Sequence, residues 1–192
     1  MSAQEVYLIR HGETEWSLSG RHTGTSDIAL TDHGRDAARR WRPYSATKTF
    51  DLILTSPLKR ARETCELAGL GEGAEIDPDL GEWDYGEYEG LTPQEIRARQ
   101  PHWLIFRDGC PGGEGPDQIA ARVDRVIARV RARPGNVVLF AHGHVLRVLA
   151  ARWLGLPGSG GAHFLLDTAT LCVLSSYHEV AAVRRWNAPL TG

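Results

Sequence analysis

Arg10 and His11 are the clearest candidates in the sequence for binding or catalysis, because they stand directly after a short apolar run. Arginine carries a rigid fork of N–H donors that suits phosphate, and a neutral imidazole is a nucleophile or a base near neutral pH. Residues 6–9 are apolar and end before Gly12, which predicts a strand buried on both faces. Arg10 and His11 would then lie at the carboxyl end of a strand, where open α/β sheets bind ligands. Taken alone, an Arg-His-Gly motif also fits a buried histidine that simply closes a turn.

A second strand end carries an arginine. Residues 51–55 predict a strand, and the following Ser56 and Pro57 predict a helix with Ser56 as N-cap and Pro57 at its first position. Arg60 then lies in the first turn, where free backbone N–H groups would favour a bound phosphate. The alternative for Arg60 is a solvated charge near a helix start.

A third strand end carries two histidines. Residues 137–140 predict a buried strand, and they lead into His142 and His144 on either side of a glycine. Parallel strands would bring this junction to the same edge as Arg10, His11 and Arg60. Two arginines and two histidines would then form a compact cationic pocket, and an oxyanion ligand is the simplest reason for it.

The order of predicted elements indicates an α/β fold. Strands are predicted at residues 6–9, 51–55, 74–76, 137–140, 171–174 and 180–185. One helix is predicted to begin after Thr31 and to end at Pro43, and a second to begin after Ser56. Three more helices are predicted over residues 93–100, 117–131 and 145–154. Alternating strands and helices are typical of a mostly parallel sheet with helices on both faces. We therefore expect a three-layer α/β/α sandwich in which residues 1–192 form a single domain.

Composition limits the partners and the compartment. The net charge is −2 in a chain of 192 residues, which gives no reason to expect nucleic acid or membrane as a partner. Cys65, Cys110 and Cys172 are odd in number and far apart, which argues against a disulfide framework and favours a reducing compartment. The N-terminus has no pattern of a secretion signal, and no apolar run approaches the ~18 residues of a membrane span. We expect a cytoplasmic protein whose partner is a small oxyanionic ligand of the cationic pocket; the sequence does not specify an oligomeric state.

The segment Leu8-Ile9-Arg10-His11-Gly12-Glu13-Thr14 resembles the signature of the histidine phosphatase superfamily, also called phosphoglycerate mutase-like. The resemblance continues, in order, through Thr23-Gly24, Leu30-Thr31, Gly34, Ser56-Pro57-Leu58, Arg60-Ala61, Thr64, Glu82, Tyr85-Gly86, Glu89-Gly90, Ala141-His142-Gly143 and Arg185-Trp186-Asn187. Three segments are most similar to the sedoheptulose-1,7-bisphosphatase branch of sugar phosphatases: Glu82-Trp83-Asp84-Tyr85-Gly86 with Tyr88-Glu89-Gly90, then Phe106-Arg107-Asp108-Gly109-Cys110, and Ala141-His142-Gly143-His144 with Leu146-Arg147.

The resemblance implies the phosphoglycerate mutase-like fold and chemistry without a cofactor. His11 would accept the phosphoryl group as a phosphohistidine. Arg10, Arg60 and His142 would supply positive charge to a transition state whose negative charge is spread over three oxygens. Glu82 matches the family's proton donor to the leaving oxygen and would then activate water, a choice that spacing alone does not make among the neighbouring acids.

Five further positions match residues that contact phosphate or substrate in relatives. They are Ser17, Thr23, Gly24, Tyr85 and Gly143. Ser17 stands where the family commonly has asparagine, and this departure leaves its assignment open.

The predicted helix after His142 carries two further candidates. Arg147 lies one turn into that helix and would suit a second phosphate, although the position also fits an ordinary surface arginine. His142 and His144 flank a glycine, which is only a weak metal-ligand pattern without an accompanying cysteine cluster. We expect no metal and no cofactor.

The sequence therefore favours a phosphatase for small phosphate monoesters, most simply sugar phosphates or bisphosphates. A phosphoglycerate mutase is the first alternative, but mutases similar to this chain tend to be longer after the Glu82 region. Here a short helix and a glycine-rich loop separate Leu91 from Ile119. A non-catalytic phosphate-binding module is the second alternative, and it would be expected to lack at least one reacting residue.

Overall fold

Six strands form one central sheet in the computed structural model, which describes residues 4–190. The strands are β1 (Val6–Arg10), β2 (Leu52–Thr55), β3 (Ala74–Ile76), β4 (Val137–Ala141), β5 (Leu171–Tyr177) and β6 (Val180–Ala188). The helices are α1 (Glu15–Leu18), α2 (Asp32–Arg39), α3 (Trp41–Ser45), α4 (Lys59–Leu67), α5 (Pro93–Arg99), α6 (Ile105–Asp108), α7 (Pro116–Arg131) and α8 (Gly143–Trp153). All six predicted strands are confirmed, and β5 and β6 each extend three residues further than predicted.

The sheet is mostly parallel, as predicted. Its order is β3-β2-β4-β1-β5-β6, and the first four strands run in the same direction. β5 pairs antiparallel with β1, and β6 pairs antiparallel with β5. The carboxyl ends of β1, β2 and β4 therefore meet at one edge.

Helices cover both faces of this sheet, because side chains alternate along each buried strand. Leu8 packs into a core that includes α7 and α8, whereas Ile9 packs into a second core with Trp41 of α3 and Cys65 of α4. Each such fully buried apolar side chain stabilises the fold by about 1.5–3 kcal/mol relative to an exposed one. The predicted three-layer α/β/α sandwich is confirmed. No helix within residues 4–190 is both long and apolar enough to cross a bilayer.

The predicted start of α4 is wrong. The helix begins at Lys59 with Leu58 as N-cap, because Ser56 is still paired at the sheet edge, where its N–H donates to the Phe140 carbonyl (2.9 Å). The Lys59 N–H donates to Oδ1 of Asp27 (2.9 Å), so a carboxylate already occupies this helix start. The helix start is therefore not the free phosphate site that the sequence predicts, although Arg60 does lie in the first turn.

The helix after Thr31 also differs from the prediction. Thr31 is its N-cap and accepts from the Gly34 N–H (3.0 Å), as expected, but α2 ends at Arg39 rather than at Pro43. Pro43 instead lies in the first turn of α3, where a missing backbone N–H costs no helical hydrogen bond.

Two glycines hold the loop after β1 against α2. A Cβ on Gly12 would overlap the Gly34 carbonyl, and a Cβ on Gly34 would overlap the backbone of Glu13. The Thr31 N–H also donates to the Glu13 carbonyl (2.9 Å). This close backbone contact fixes the segment that follows His11.

Gly34→Ala should lower the free energy of unfolding by about 1–3 kcal/mol, because a methyl group there must displace rigid backbone. Gly73→Ala is the matched control, since its Cβ would lie 3.4 Å from Ile53 Cδ1, an ordinary contact. The control should be neutral or slightly stabilising. Urea unfolding of the three proteins measures the difference, and equal stability of Gly34→Ala and the parent would contradict the contact.

Candidate active site

A cavity of about 290 Å³ opens at the carboxyl ends of β1 and β4. Eight of the eleven residues predicted from the sequence line it: Arg10, His11, Ser17, Thr23, Glu82, Tyr85, Gly143 and Arg147. His22, His144, Arg21 and Leu166 line it as well. Arg60, His142 and Gly24 are not among the lining residues.

His11 is held as a neutral imidazole with a defined tautomer. Its Nδ1 lies 2.7 Å from the Gly12 carbonyl oxygen, which can only accept, so Nδ1 carries the proton and donates. Nε2 is then left with its lone pair. Burial, followed by the charges of Arg10 and Arg60, lowers the pKa of His11 well below its usual 6.5. The ring is therefore a neutral nitrogen nucleophile at neutral pH.

Arg10 lies beside His11, and the protein pairs only some of its hydrogen-bond donors. Its Nη1 donates to the Leu166 carbonyl (2.6 Å). Its Nε is buried and has no hydrogen-bond partner within residues 4–190. Native proteins leave few buried donors unpaired, so this N–H is suited to an anionic ligand in the cavity.

Arg60 and His142 lie next to His11 but outside the cavity lining. The His11 and His142 ring centroids are 5.2 Å apart, and both Arg60 and His142 are fully buried. Arg60 Nε donates to Nδ1 of His142 (3.1 Å), so the neutral ring carries its proton on Nε2, which donates to Ser56 Oγ (2.7 Å). Burial and the neighbouring Arg60 lower the pKa of His142 well below its usual value. The structure thus brings together the residues after β1, β2 and β4, with Arg60 and His142 behind His11.

The Arg60 guanidinium also fixes the loop over residues 23–26. Its Nη atoms donate to the carbonyl oxygens of Thr23 (2.9 Å), Gly24 (3.0 Å) and Ser26 (2.8 Å). The Glu89 carboxylate accepts from the N–H groups of Gly24 and Ser26 on the same loop. Gly24 therefore supports Thr23 at the cavity wall rather than lining the cavity itself.

Glu82 is fixed by backbone donors at the start of α8. Its carboxylate accepts from the N–H groups of Trp83 (2.9 Å), His144 (3.0 Å) and Val145 (3.0 Å). A Cβ on Gly143 would lie 3.4 Å from Arg10 Nε and 3.7 Å from Glu82 Oε2. A small residue at position 143 therefore leaves room between the cation and the carboxylate.

The segment that carries Glu82 is held by an ion pair that the sequence analysis missed. Arg122 of α7 donates to both carboxylate oxygens of Glu114 (2.7 and 2.9 Å) and to the carbonyl oxygens of Asp79, Gly81 and Glu82. Glu114 in turn accepts from the Trp83 indole N–H through its carbonyl (2.9 Å). A signal was available, because Arg122 stands at helical spacing on the apolar face of α7, next to Val123.

A cluster of aromatic and imidazole rings forms another wall of the cavity. The Tyr85 hydroxyl lies 2.7 Å from Nδ1 of His144, and the ring of His22 stacks on Tyr85 with centroids 4.5 Å apart. Burial lowers the pKa of His144 well below 6.5 and that of His22 to about 4, so both rings are neutral near pH 7. His22 was not predicted from the sequence.

Arg147 and Ser17, the remaining predicted residues, also line the cavity and are partly buried. The Arg147 guanidinium packs 4.5 Å above the Phe106 ring and donates from Nε to the Gly161 carbonyl (3.1 Å). The Ser17 hydroxyl is engaged with Thr14 at the start of α1, where it donates to the Thr14 carbonyl (2.9 Å). In residues 4–190, no group of three or more His, Cys, Asp or Glu side chains is placed to hold a metal ion.

Comparison with known proteins identifies the family. A sequence profile of the histidine phosphatase superfamily (branch 1) matches residues 6–189. An acid phosphatase of Mycobacterium tuberculosis is 39% identical over 179 residues, which cover 91% of this chain and 88% of the relative. The chain belongs to the histidine phosphatase superfamily, as its Arg10-His11-Gly12 segment predicts.

Two further comparisons agree in sequence and in fold. The sedoheptulose 1,7-bisphosphatase of Saccharomyces cerevisiae is 36% identical over 181 residues, which cover 78% of this chain and 67% of that protein. The solved structure of an open reading frame product of Mycobacterium tuberculosis matches with a TM-score of 0.92 at 36% identity. That match covers 97% of this chain and 98% of the other, so the predicted fold class is confirmed over nearly the whole chain.

Acid should destabilise the fold through four histidines, of which His11, His22 and His142 are buried and His144 is partly buried. The pKa values of His11, His22, His142 and His144 are lowered in the folded protein, while an unfolded imidazole keeps a pKa of ~6.5. Below that pH the unfolded chain binds more protons, so the free energy of unfolding falls by up to ~1.4 kcal/mol per pH unit for each histidine. For His22 the loss continues down to about pH 4.

Urea unfolding at a series of pH values from about 7.5 to 5 measures this slope. His22→Phe should remove the contribution of one group and flatten the slope accordingly. A free energy of unfolding that stays constant across this range would contradict the burial of neutral imidazoles.

Proposed function

We propose that this protein is a phosphatase that hydrolyses small phosphate monoesters, foremost sugar phosphates or bisphosphates, through a phosphohistidine on His11. The observation that carries this proposal is the pairing of two groups at one cavity. The neutral His11 ring keeps its Nε2 lone pair, and the adjacent Arg10 keeps a buried N–H without a protein partner. A nucleophile beside an unused cationic donor suits attack on a phosphoryl group.

In the first step, the Nε2 lone pair of His11 forms a bond to phosphorus while the phosphorus–oxygen ester bond breaks. The departing oxygen takes a proton from the Glu82 carboxyl group, which lies across the Gly143 gap from Arg10. Arg10 binds the phosphoryl oxygens, and Arg60 and His142 stabilise the site from behind His11. Catalysis of this kind depends on positioning and electrostatics more than on covalent chemistry by the protein.

In the second step, the Glu82 carboxylate takes a proton from water, and the water oxygen forms a bond to phosphorus. The bond between phosphorus and His11 breaks, and its electron pair returns to Nε2. Inorganic phosphate leaves, and Glu82 is again protonated for the next turnover. Arg122 and Glu114 act as positioning residues, because they hold the segment that carries Glu82.

The substrate proposal rests on the residues that line the cavity. Arg147 lines it and is suited to a second anionic group of the substrate, such as the distal phosphate of a sugar bisphosphate. Ser17, Thr23 and Tyr85 are proposed to contact the substrate beside it, and the Gly143 backbone to contact the phosphate. The three described cysteines are free and buried, which is consistent with action in the reducing cytoplasm.

Glu82→Gln should slow hydrolysis most for esters with poor leaving groups, because such oxygens need a proton in the transition state. We expect kcat/KM for a sugar phosphate to fall about 100- to 10,000-fold, and that for a nitrophenyl phosphate much less. Glu87→Gln, an exposed acid in the same segment, is the matched control and should change neither rate. Equal losses of Glu82→Gln on both esters would count against the acid role.

The reaction product distinguishes a phosphatase from a phosphoglycerate mutase. A phosphatase releases inorganic phosphate from sugar phosphates, whereas a mutase converts 3-phosphoglycerate into 2-phosphoglycerate. We expect phosphate release to dominate, because the segment between Leu91 and Ile119 is short and a mutase must retain the phosphoryl group. His11→Ala should abolish the release of inorganic phosphate. It should also abolish the acid-labile phosphoprotein that we expect to detect when the wild-type protein is denatured without acid. A protein that binds phosphate but forms neither product nor phosphoprotein would be a non-catalytic module.

A further inference from the structure

Two buried side-chain nitrogens have no hydrogen-bond partner within residues 4–190, and both belong to residues that line the cavity. One is Arg10 Nε, which the proposed function assigns to the phosphoryl group. The other is Nε2 of His22, which that function does not use. An unpartnered polar atom in a native core calls for an explanation, because leaving it unpaired is costly.

His22 is held rigidly in this position. Its backbone N–H donates to the Leu91 carbonyl and its carbonyl accepts from the Gly90 N–H, both at 2.9 Å. Its ring stacks on Tyr85 at an interplanar angle of 25° and contacts Trp103 with centroids 5.5 Å apart. A ring fixed by packing on two aromatic side chains needs little further ordering to bind a ligand in the cavity that His22 lines.

His144 stands opposite, with its ring centroid 5.8 Å from that of His22 at an angle of 77°. Burial and the carboxylate of Glu82 raise the pKa of Tyr85 well above 10, so its hydroxyl keeps its proton and can donate to Nδ1 of His144. The neutral ring then carries its own proton on Nε2. Among the described residues this second nitrogen has no protein partner, and His144 lines the same cavity.

We propose that His22 and His144 bind hydroxyl groups of the leaving alcohol, so that the site selects polyhydroxylated phosphate esters over alkyl phosphates of the same charge. This inference rests on the proposed phosphatase function and assigns its leaving-group subsite. His144 offers the Nε2 proton as a donor, because its Nδ1 already accepts from Tyr85, and Nε2 of His22 is a donor or an acceptor according to its tautomer; a hydroxyl group can pair with either.

Charge distribution separates this subsite from the anion sites. Burial keeps both rings uncharged near pH 7, whereas the fixed positive charges of the cavity lie on Arg10, Arg21 and Arg147. A second phosphate would therefore bind to an arginine rather than to the imidazoles. A site built to pair with substrate hydroxyls also discriminates strongly against an analogue that lacks them.

Two bisphosphates of equal charge and chain length test the proposal. Mannitol 1,6-bisphosphate carries four free hydroxyl groups, and hexane-1,6-diol bisphosphate carries none. The wild-type protein should prefer the mannitol compound by at least tenfold in kcat/KM, and His22→Phe should lower that ratio about tenfold. Phenylalanine keeps the stacking on Tyr85 and Trp103 but removes both ring nitrogens. An unchanged ratio in folded His22→Phe would overturn the proposal.

Further variants keep the test decisive. His144→Phe should lower the ratio as well, which provides an independent measurement if His22→Phe does not fold; an unchanged ratio there would equally overturn the proposal. His22→Gln, which restores a donor and an acceptor, should recover part of the ratio. Arg147→Ala should slow both compounds alike. His33→Phe is the matched control, because the His33 side chain is 71% exposed and lies outside the cavity lining.

Failure of the phosphatase function can be distinguished from failure of the hydroxyl-binding subsite. If neither bisphosphate releases phosphate and no phosphoprotein forms, the phosphatase function fails. The dissociation constants of the two compounds, measured by calorimetry on the same variants, then test the subsite alone. A wild-type preference for the mannitol compound that His22→Phe removes would support it, and equal affinities would overturn it.

Discussion

The parallel pairing of β1 with β4 is the constraint on which the site depends. Arg10 pairs with Ala141, and the His11 N–H then donates to the Ala141 carbonyl at 2.9 Å. The two strands therefore end at the same level, and the first residue beyond each strand is a histidine. A slip of one residue would turn every side chain of β1 to the opposite face and separate His11 from His142. Leu8 packs into one core and Tyr7 and Ile9 into the other, so the fit of these side chains to two different cores opposes such a slip.

The electrostatics of the site follow from the same burial. Arg60 keeps its charge in the interior because its donors reach the His142 ring and three backbone carbonyls, so no donor group has to be left in an apolar environment. The histidines beside it respond in the opposite way and stay neutral, because a second buried charge near Arg60 would be unfavourable. A cationic site with neutral imidazoles is thus the stable arrangement, and it leaves the lone pair of His11 free.

The sequence predicts which residues lie in the site better than it predicts the contacts that their side chains make. Arg10, His11 and His142 follow continuous apolar runs, and such runs depend on local pattern alone. Ser56 was predicted as a helix cap because that pattern is also local, but its hydroxyl is engaged by His142, 86 residues further along the chain. Arg122 and His22 show a further limit. Their roles depend on which loops pack against them, and a single chain records that packing only indirectly, as a charge on an apolar face or as a histidine in a loop.

The way in which Glu82 is held has a consequence for how this scaffold can diversify. Its carboxylate binds main-chain N–H groups of positions 83, 144 and 145, and nearly every amino acid supplies that group. The side chains at positions 144 and 147 on the same helix line the cavity, and neither donates a hydrogen bond to Glu82. The lining of the cavity at these two positions can therefore change by single substitutions that remove no hydrogen bond to Glu82.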